Sequence, residues 1–158
     1  MSDRFHVRAI ATPDDLDAVT TLFGGYAASL PVDLGYQDFA TELAGLPGKY
    51  SGPDGALLLA RDPDGAPLGC VALRPLGEGI GEVKRLFLLP EARGIGLGRA
   101  LAEAVIAVGR ERGYRELRLD TLPSMTSAIA LYERLGFERI APYYAPTPPG
   151  TVFMALAL

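Results

Sequence analysis

The sequence has no tryptophan, one cysteine and one histidine in 158 residues, and each scarcity removes a class of chemistry. Cys70 alone cannot close an internal disulfide, and His6 alone cannot complete a histidine-rich metal site. Zincin, thioredoxin-like and Ser-His-Asp readings all lose residues they require, and no metal is expected. No apolar run approaches the ~20 residues of a membrane helix, and Met1 to Arg8 lacks the apolar centre of a secretion signal. The expected compartment is the cytoplasm, with no membrane partner. Basic residues are not in excess: 15 Lys and Arg against 19 Asp and Glu leave a net charge of −4. Such a chain has no general pull toward phosphodiester backbones, so nucleic acid is not an expected partner.

The length is close to the ~150 residues that suggest one domain, here spanning residues 1–158. Hydrophobic residues at 49% and charged residues at 22% match a globular chain able to bury a core. Glycine (19) and proline (13) are plentiful and forecast many tight turns.

Phe5 to Ile10 reads as a short strand. Thr12-Pro13-Asp14-Asp15 then offers an N-cap, a proline at the first helical position and first-turn acids, so a helix is expected to about Ser29. A second helix is expected from about Tyr36 to Leu46, ending before Pro47-Gly48. Ala56 to Arg61 and Leu68 to Arg74 read as a hairpin around Asp62-Pro-Asp-Gly65. Glu82 to Leu89 is a further strand, stopped by Pro90. A glycine-rich turn feeds a helix from Arg99 to about Arg112, where Leu101, Ala104, Val105 and Val108 make one apolar stripe and Gly113 follows. Leu117 to Thr121 is a strand, Ser124 to Leu135 a helix closed by Gly136, and Phe137–Ile140 and Thr151–Leu158 are final strands. The four prolines of Pro142 to Gly150 mark an irregular loop. The order of elements argues for a mixed α/β sheet with helices on its faces.

Arg93-Gly-Ile-Gly-Leu-Gly98 lies between a strand and a helix, where backbone amides and the positive end of a helix dipole converge on anions. Glycine suits the position because a missing Cβ permits positive φ and close approach of phosphate oxygens. The spacing is not the dinucleotide G-x-G-x-x-G, since Arg99 follows Gly98, and no Gly-Lys-Ser/Thr of a Walker loop is present. Gly77-Glu-Gly-Ile-Gly81 precedes a strand instead of a helix and reads as a turn.

At these residues the sequence resembles the GNAT superfamily of N-acetyltransferases, whose signature is a strand, then Arg/Gln-x-x-Gly-x-Gly/Ala, then a helix. Arg93-x-x-Gly96-x-Gly98 fits it; in the overlapping spelling Gln-x-Arg-Gly-x-Gly, Glu91 replaces the Gln. A second motif of the family, Ala-x-x-Leu-Tyr on a helix ending in Gly-Phe, matches Ala128-Ile-Ala-Leu-Tyr132-Glu-Arg-Leu-Gly136-Phe137. The resemblance covers residues 68–140 well and residues 1–67 only in element order.

It implies a GNAT-like acyl-CoA acyltransferase fold, a single mixed and mostly antiparallel central sheet flanked by helices, with acetyl-coenzyme A as acyl donor. The strand before the glycine turn would splay from its neighbour, and the main chain of Leu86, Phe87 and Leu88 would bind the pantetheine arm. The pyrophosphate would meet the amides of Gly94, Ile95, Gly96, Leu97, Gly98 and Arg99, with the side chain of Arg93 or Arg99 adding charge. Glu82, on the same strand face as Leu88 by simple alternation, would act as base, directly or through water. Tyr132 would protonate the departing thiolate. Many relatives have an asparagine seven residues before this tyrosine; here it is Met125, whose thioether cannot donate a hydrogen bond, so Ser124, Thr126 or Ser127 would take over that contact.

The implied acceptor is a primary amine of a small molecule or peptide, and the protein a monomer or homodimer. Alternatives are a catalytically silent acyl-CoA-binding domain, which would need neither Glu82 nor Tyr132, and transfer of another acyl group or to a hydroxyl. Alternation places Glu82, Lys84 and Leu86 on one face with Arg74 nearby. An acid-poor pocket of this kind would let Lys84 or Arg74 hold the carboxylate of an amino-acid-like acceptor. The plainer alternative pairs Lys84 with Glu82 and leaves Arg74 and Arg85 solvated. Val152 to Leu156 could form an exposed sheet edge that favours a dimer. Cys70 reads as a small buried hydrophobe and His6 as structural.

Overall fold

A computed structural model describes residues 4–158, except for the side chain of Tyr36; Met1 to Asp3, part of the segment read for a secretion signal, lie outside it. Seven strands form one sheet: β1 (His6–Ala9), β2 (Ala56–Arg61), β3 (Pro67–Gly77), β4 (Ile80–Leu88), β5 (Glu116–Thr121), β6 (Glu138–Ile140) and β7 (Val152–Ala157). Their spatial order is β1-β2-β3-β4-β5-β7-β6, and every neighbouring pair is antiparallel except β4 with β5. This is the mixed, mostly antiparallel sheet implied by the sequence.

Four α-helices accompany it: α1 (Pro13–Ser29), α2 (Phe39–Ala44), α3 (Leu97–Glu111) and α4 (Thr126–Arg134). Helix α1 starts where its cap was legible. Thr12 Oγ1 accepts from the Asp15 amide at 3.1 Å, and the Asp15 carboxylate accepts from the amides of Ala11 and Thr12. Helices α1 and α3 cover opposite faces of the sheet. On the α3 face, Leu58, Val71, Leu73, Leu101, Val105 and Leu117 pack together; on the α1 face, Val19, Phe23, Leu57, Leu59, Cys70 and Phe87 do so. Burial on both sides explains why β2 reads as an unbroken apolar run, not as an alternation.

Several expected boundaries shift for local reasons. The second helix is shorter than Tyr36 to Leu46, because Asp38 adopts the left-handed conformation (φ 56°) between a 3₁₀ turn over Leu34–Gln37 and α2. The β3–β4 connection is a hairpin extending past Arg74, its turn formed at Gly79 with φ 74°. Helix α3 begins at Leu97, two residues before the expected Arg99. Strand β7 is not a sheet edge: it lies between β5 and β6, so the edges are β1 and β6 and the dimer argument from Val152 to Leu156 falls.

Candidate active site

Two features of β4 build the site. Its parallel pairing with β5 runs only from Ile80 to Glu82, against Glu116 to Arg118, after which the strands separate. The rest of β4 therefore turns an unpaired edge toward β5, and the expected splay is present. The second feature is a bulge. Cys70 pairs with Phe87 but Ala72 pairs with Lys84, so β4 carries one extra residue, and Arg85 takes φ 61° there.

The bulge resets the alternation. Glu82, Lys84, Arg85 and Phe87 face α1, whereas Val83, Leu86 and Leu88 belong to the α3 side. The expectation that Glu82 shares a face with Leu86 and Leu88 is thereby corrected: period-two counting holds only in an unbulged strand.

On the open side of β4 the glycine turn leads into α3. Gly94 (φ 81°) and Gly96 (φ 85°) both occupy the left-handed region, and Gly96 is the N-cap residue of α3. A Cβ built on either would meet nothing within 4 Å, so the space above the turn is open. The earlier helix start makes Leu97, Gly98 and Arg99 the first helical turn, whose amides have no intrahelical acceptor. A cleft of about 540 Å³ lies here, between the β4 edge and turn on one side and the start of α4 on the other. Of the residues expected to hold a cofactor, Leu86, Phe87, Leu88, Arg93, Gly94, Gly96, Gly98 and Arg99 line it. Ile95 and Leu97 pack their side chains on the core and can offer only their amides. Arg99 is exposed and pairs with Glu103 at 3.1 Å, while Arg93 reaches the Leu88 carbonyl at 3.4 Å. Met125 lines the cleft with Ser124, Thr126 and Ser127, so hydroxyl groups do stand beside the thioether.

Tyr132 projects from α4 into the α3-side core and packs on the Phe137 ring at 5.4 Å between centroids. Burial raises its phenol well above the ordinary value, and the carboxylate of Asp120 adds to the effect. It is held protonated at neutral pH.

The charged residues of the α1 face are all engaged, which corrects the acid-poor pocket. Glu82, 1% exposed, accepts from Arg74 Nε at 2.8 Å on one oxygen and from the Tyr143 hydroxyl at 2.6 Å on the other. Lys84 does not pair with Glu82. Its ammonium donates to Gln37 Oε1 at 3.2 Å and lies 3.7 Å from Asp120 Oδ1; burial depresses its pKa, against the opposing pull of Asp120. Arg85 is not solvated: it forms two bonds to the Glu42 carboxylate, at 2.9 and 3.1 Å, with its guanidinium against the Tyr26 and Phe39 rings. Arg74 is likewise committed to Glu82.

Sequence reading missed Asp120, Tyr143, Tyr144, Gln37 and Tyr26. Tyr144 donates to Asp120 Oδ2 at 2.7 Å, and Gln37 Nε2 reaches the same oxygen at 3.2 Å. The proline-rich loop thus returns two tyrosines to Glu82 near the start of β4 and Asp120 near the end of β5, stacked edge-on against Phe153. The available signal was the pair Tyr143-Tyr144 within a loop too proline-rich to be mobile coil. Cys70 is buried, with its thiol pushed up by desolvation, and is inert as expected.

Comparison with known proteins agrees with this geometry. Residues 26–137 match the model of the acetyltransferase (GNAT) family. An uncharacterized N-acetyltransferase of Schizosaccharomyces pombe is 39% identical over 153 residues, covering 96% of this chain and 94% of its own. A GCN5-related N-acetyltransferase of Kribbella flavida superposes with a TM-score of 0.75 at 25% identity, covering 99% of both chains. A phosphinothricin acetyltransferase of Sinorhizobium meliloti, solved with acetyl-CoA, has the same fold at 22% identity, with a TM-score of 0.74, covering 98% of this chain and 89% of that one. The chain belongs to the GNAT family of acetyltransferases, and the enzyme is an N-acetyltransferase. Among the described residues no helix is long and apolar enough to cross a membrane, and no group of three or more His, Cys, Asp or Glu is placed to hold a metal ion.

Proposed function

We propose that the protein transfers the acetyl group of acetyl-coenzyme A to the primary amine of a small molecule or peptide, by direct attack within one ternary complex. The open space above Gly94 and Gly96, at the N-terminus of α3 and beside the unpaired edge of β4, carries the reading. Left-handed glycines there leave oxygen-sized room over amides that the helix does not use, and the helix dipole favours anions. The pyrophosphate fits that position. The pantetheine arm would run along Leu86 to Leu88 as an added strand, delivering the thioester to the point where β4 and β5 part.

Tyr132 would then donate a proton to the leaving thiolate. A free thiol has a pKa of ~8.5, so a protonated phenol beside it is the more useful the closer it is held. The amine proton leaves on the α1 face of the sheet, the side of Glu82, the base suggested by sequence.

Calorimetry tests the cofactor site. Gly96→Val should abolish acetyl-CoA binding but also strains a left-handed residue. Gly98→Val separates the effects, because Gly98 is helical and the nearest atoms to its Cβ would be in the Leu131 and Leu88 side chains, at an ordinary 3.8 to 3.9 Å. It should leave the fold intact and weaken binding by about tenfold or more, equivalent to at least ~1.4 kcal/mol. Unchanged affinity in both variants would refute the site.

A further inference from the structure

Glu82 is poorly arranged to take a proton itself, since both its oxygens are held by donors. Asp120, on β5 just beyond the last residue paired with β4, is arranged differently. Its Oδ2 accepts from Tyr144 and Gln37, while Oδ1 has no closer cation than Lys84 Nζ at 3.7 Å, beyond hydrogen-bond reach. One carboxylate oxygen is thus fixed by two donors, and the other is held only by the longer ion pair with Lys84.

That carboxylate lines a small polar cavity of about 20 Å³, with Tyr26, Gln37, Lys84 and Arg85 among its walls. The volume suits one water-sized group with several polar neighbours. The cavity shares one lining residue with each of two others. Tyr26 also lines the cofactor cleft, and Gln37 also lines a larger cavity of about 370 Å³ bounded by α2, Lys49, Tyr50 and Arg74. The small cavity is therefore adjacent to both the cofactor cleft and the α2-side cavity.

We propose that Asp120 Oδ1 receives the proton of the attacking amine, and that Glu82 is a positioning residue holding Arg74 and Tyr143. The proposal rests on the acetyl-transfer reading. As the amine nitrogen bonds to the thioester carbonyl carbon, its proton passes to Asp120 Oδ1, directly or through the single water the cavity can hold. The C–S bond then breaks, and the thiolate takes the Tyr132 proton. Lys84 is the countercharge that faces Asp120 Oδ1 across the cavity. The groups facing Asp120 from the surrounding elements are Lys84 and Arg85 from β4, Tyr26 from α1, Tyr132 from α4, Gln37, and Tyr143 and Tyr144 from the loop. Among them Lys84 and Arg85 are the basic side chains. Arg85 is neutralised by Glu42, which leaves Lys84 as the basic group facing Asp120.

The experiment measures thiol release from acetyl-CoA across pH, with the best acceptor from a panel of amino acids, polyamines, aminoglycosides and peptides. Acetyl-CoA affinity is followed in parallel by calorimetry. Asp120→Asn should lower kcat/KM by roughly 100-fold or more, a typical general-base contribution, and lose the acid limb with acetyl-CoA affinity unchanged. Glu82→Gln should lower the rate and keep that limb. If Asp120→Asn leaves Lys84 unpaired and unfolds the protein, the double variant Lys84→Met with Asp120→Asn removes both charges and should show the same loss. An acid limb retained in the folded Asp120 variant, or lost only in Glu82→Gln, overturns the assignment. Thiol release from no amine in the panel, with acetyl-CoA bound, counts instead against amine acetylation itself.

Discussion

A single hydroxyl decides whether Tyr132 is a packing residue or an acid. The ring fills a core position beside Phe137, so Tyr132→Phe keeps the volume and the packing. What it removes is a proton held by burial well past neutral pH. An interaction used only as the thiolate departs should appear in kcat and not in cofactor affinity. Tyr132→Phe is expected to lower kcat by about 10- to 100-fold with acetyl-CoA affinity unchanged. Equal turnover in the two enzymes would return Tyr132 to a structural role. Residues of this kind were legible because they sit inside a local motif. Asp120 was not: nothing in Leu117-Arg-Leu-Asp120 announces that Tyr144 and Gln37 will arrive from 24 and 83 residues away.

At the level of elements, legibility followed the range of the forces. Helix α1 was readable because its capping box spans four residues, Thr12 to Asp15, and needs nothing distant. Thr12→Ala should destabilise the fold by about 1 kcal/mol in thermal or denaturant unfolding. The cap is also pH-dependent. The carboxyl of Asp15 is held below its ordinary 3.8, first by its bond to Arg61 and then by the Ala11 amide. A depressed carboxylate stabilises the fold above the unfolded value, and that contribution fades as pH falls through the folded one. Unfolding followed from pH 6 to pH 2 should show the penalty of Thr12→Ala shrinking below about pH 3.8, as Asp15 loses its side of the box. A penalty constant over that range would sink the coupling. Strand β4 behaved oppositely. Its existence was plain from sequence, but the bulge at Arg85 reverses which residues face α1, and a left-handed arginine is dictated by partners elsewhere, Glu42 and the Tyr26 and Phe39 rings.

Across the whole molecule, three ion pairs bind the strands that bear the site: Arg74 to Glu82 within the β3–β4 hairpin, and, between segments distant in sequence, Glu42 to Arg85 and Lys84 to Asp120. The pair of Glu42 with Arg85 fastens α2, a wall of the larger cavity, onto β4. Its arginine side chain is only 1% exposed and its glutamate 12%. Such a pair adds little over a well-packed apolar substitute, yet removal of one member leaves a buried charge uncompensated, at a cost of about 3–5 kcal/mol. Glu42→Ala should therefore lose that much stability, while Glu42→Ala combined with Arg85→Met should recover most of it. Burial works to raise the Glu42 carboxyl, but the bond to Arg85 and its charge more than offset this and set the pKa below 4.5. The pair is thus fully effective above about pH 4.5 and lost as pH falls through the depressed value. The gap between the native enzyme and Glu42→Ala should close under acid and not under alkali. Thermal unfolding of the three proteins at pH 7 and pH 3 decides the matter: a single variant no less stable than the double at pH 7 would mean that α2 is held by its apolar contacts alone.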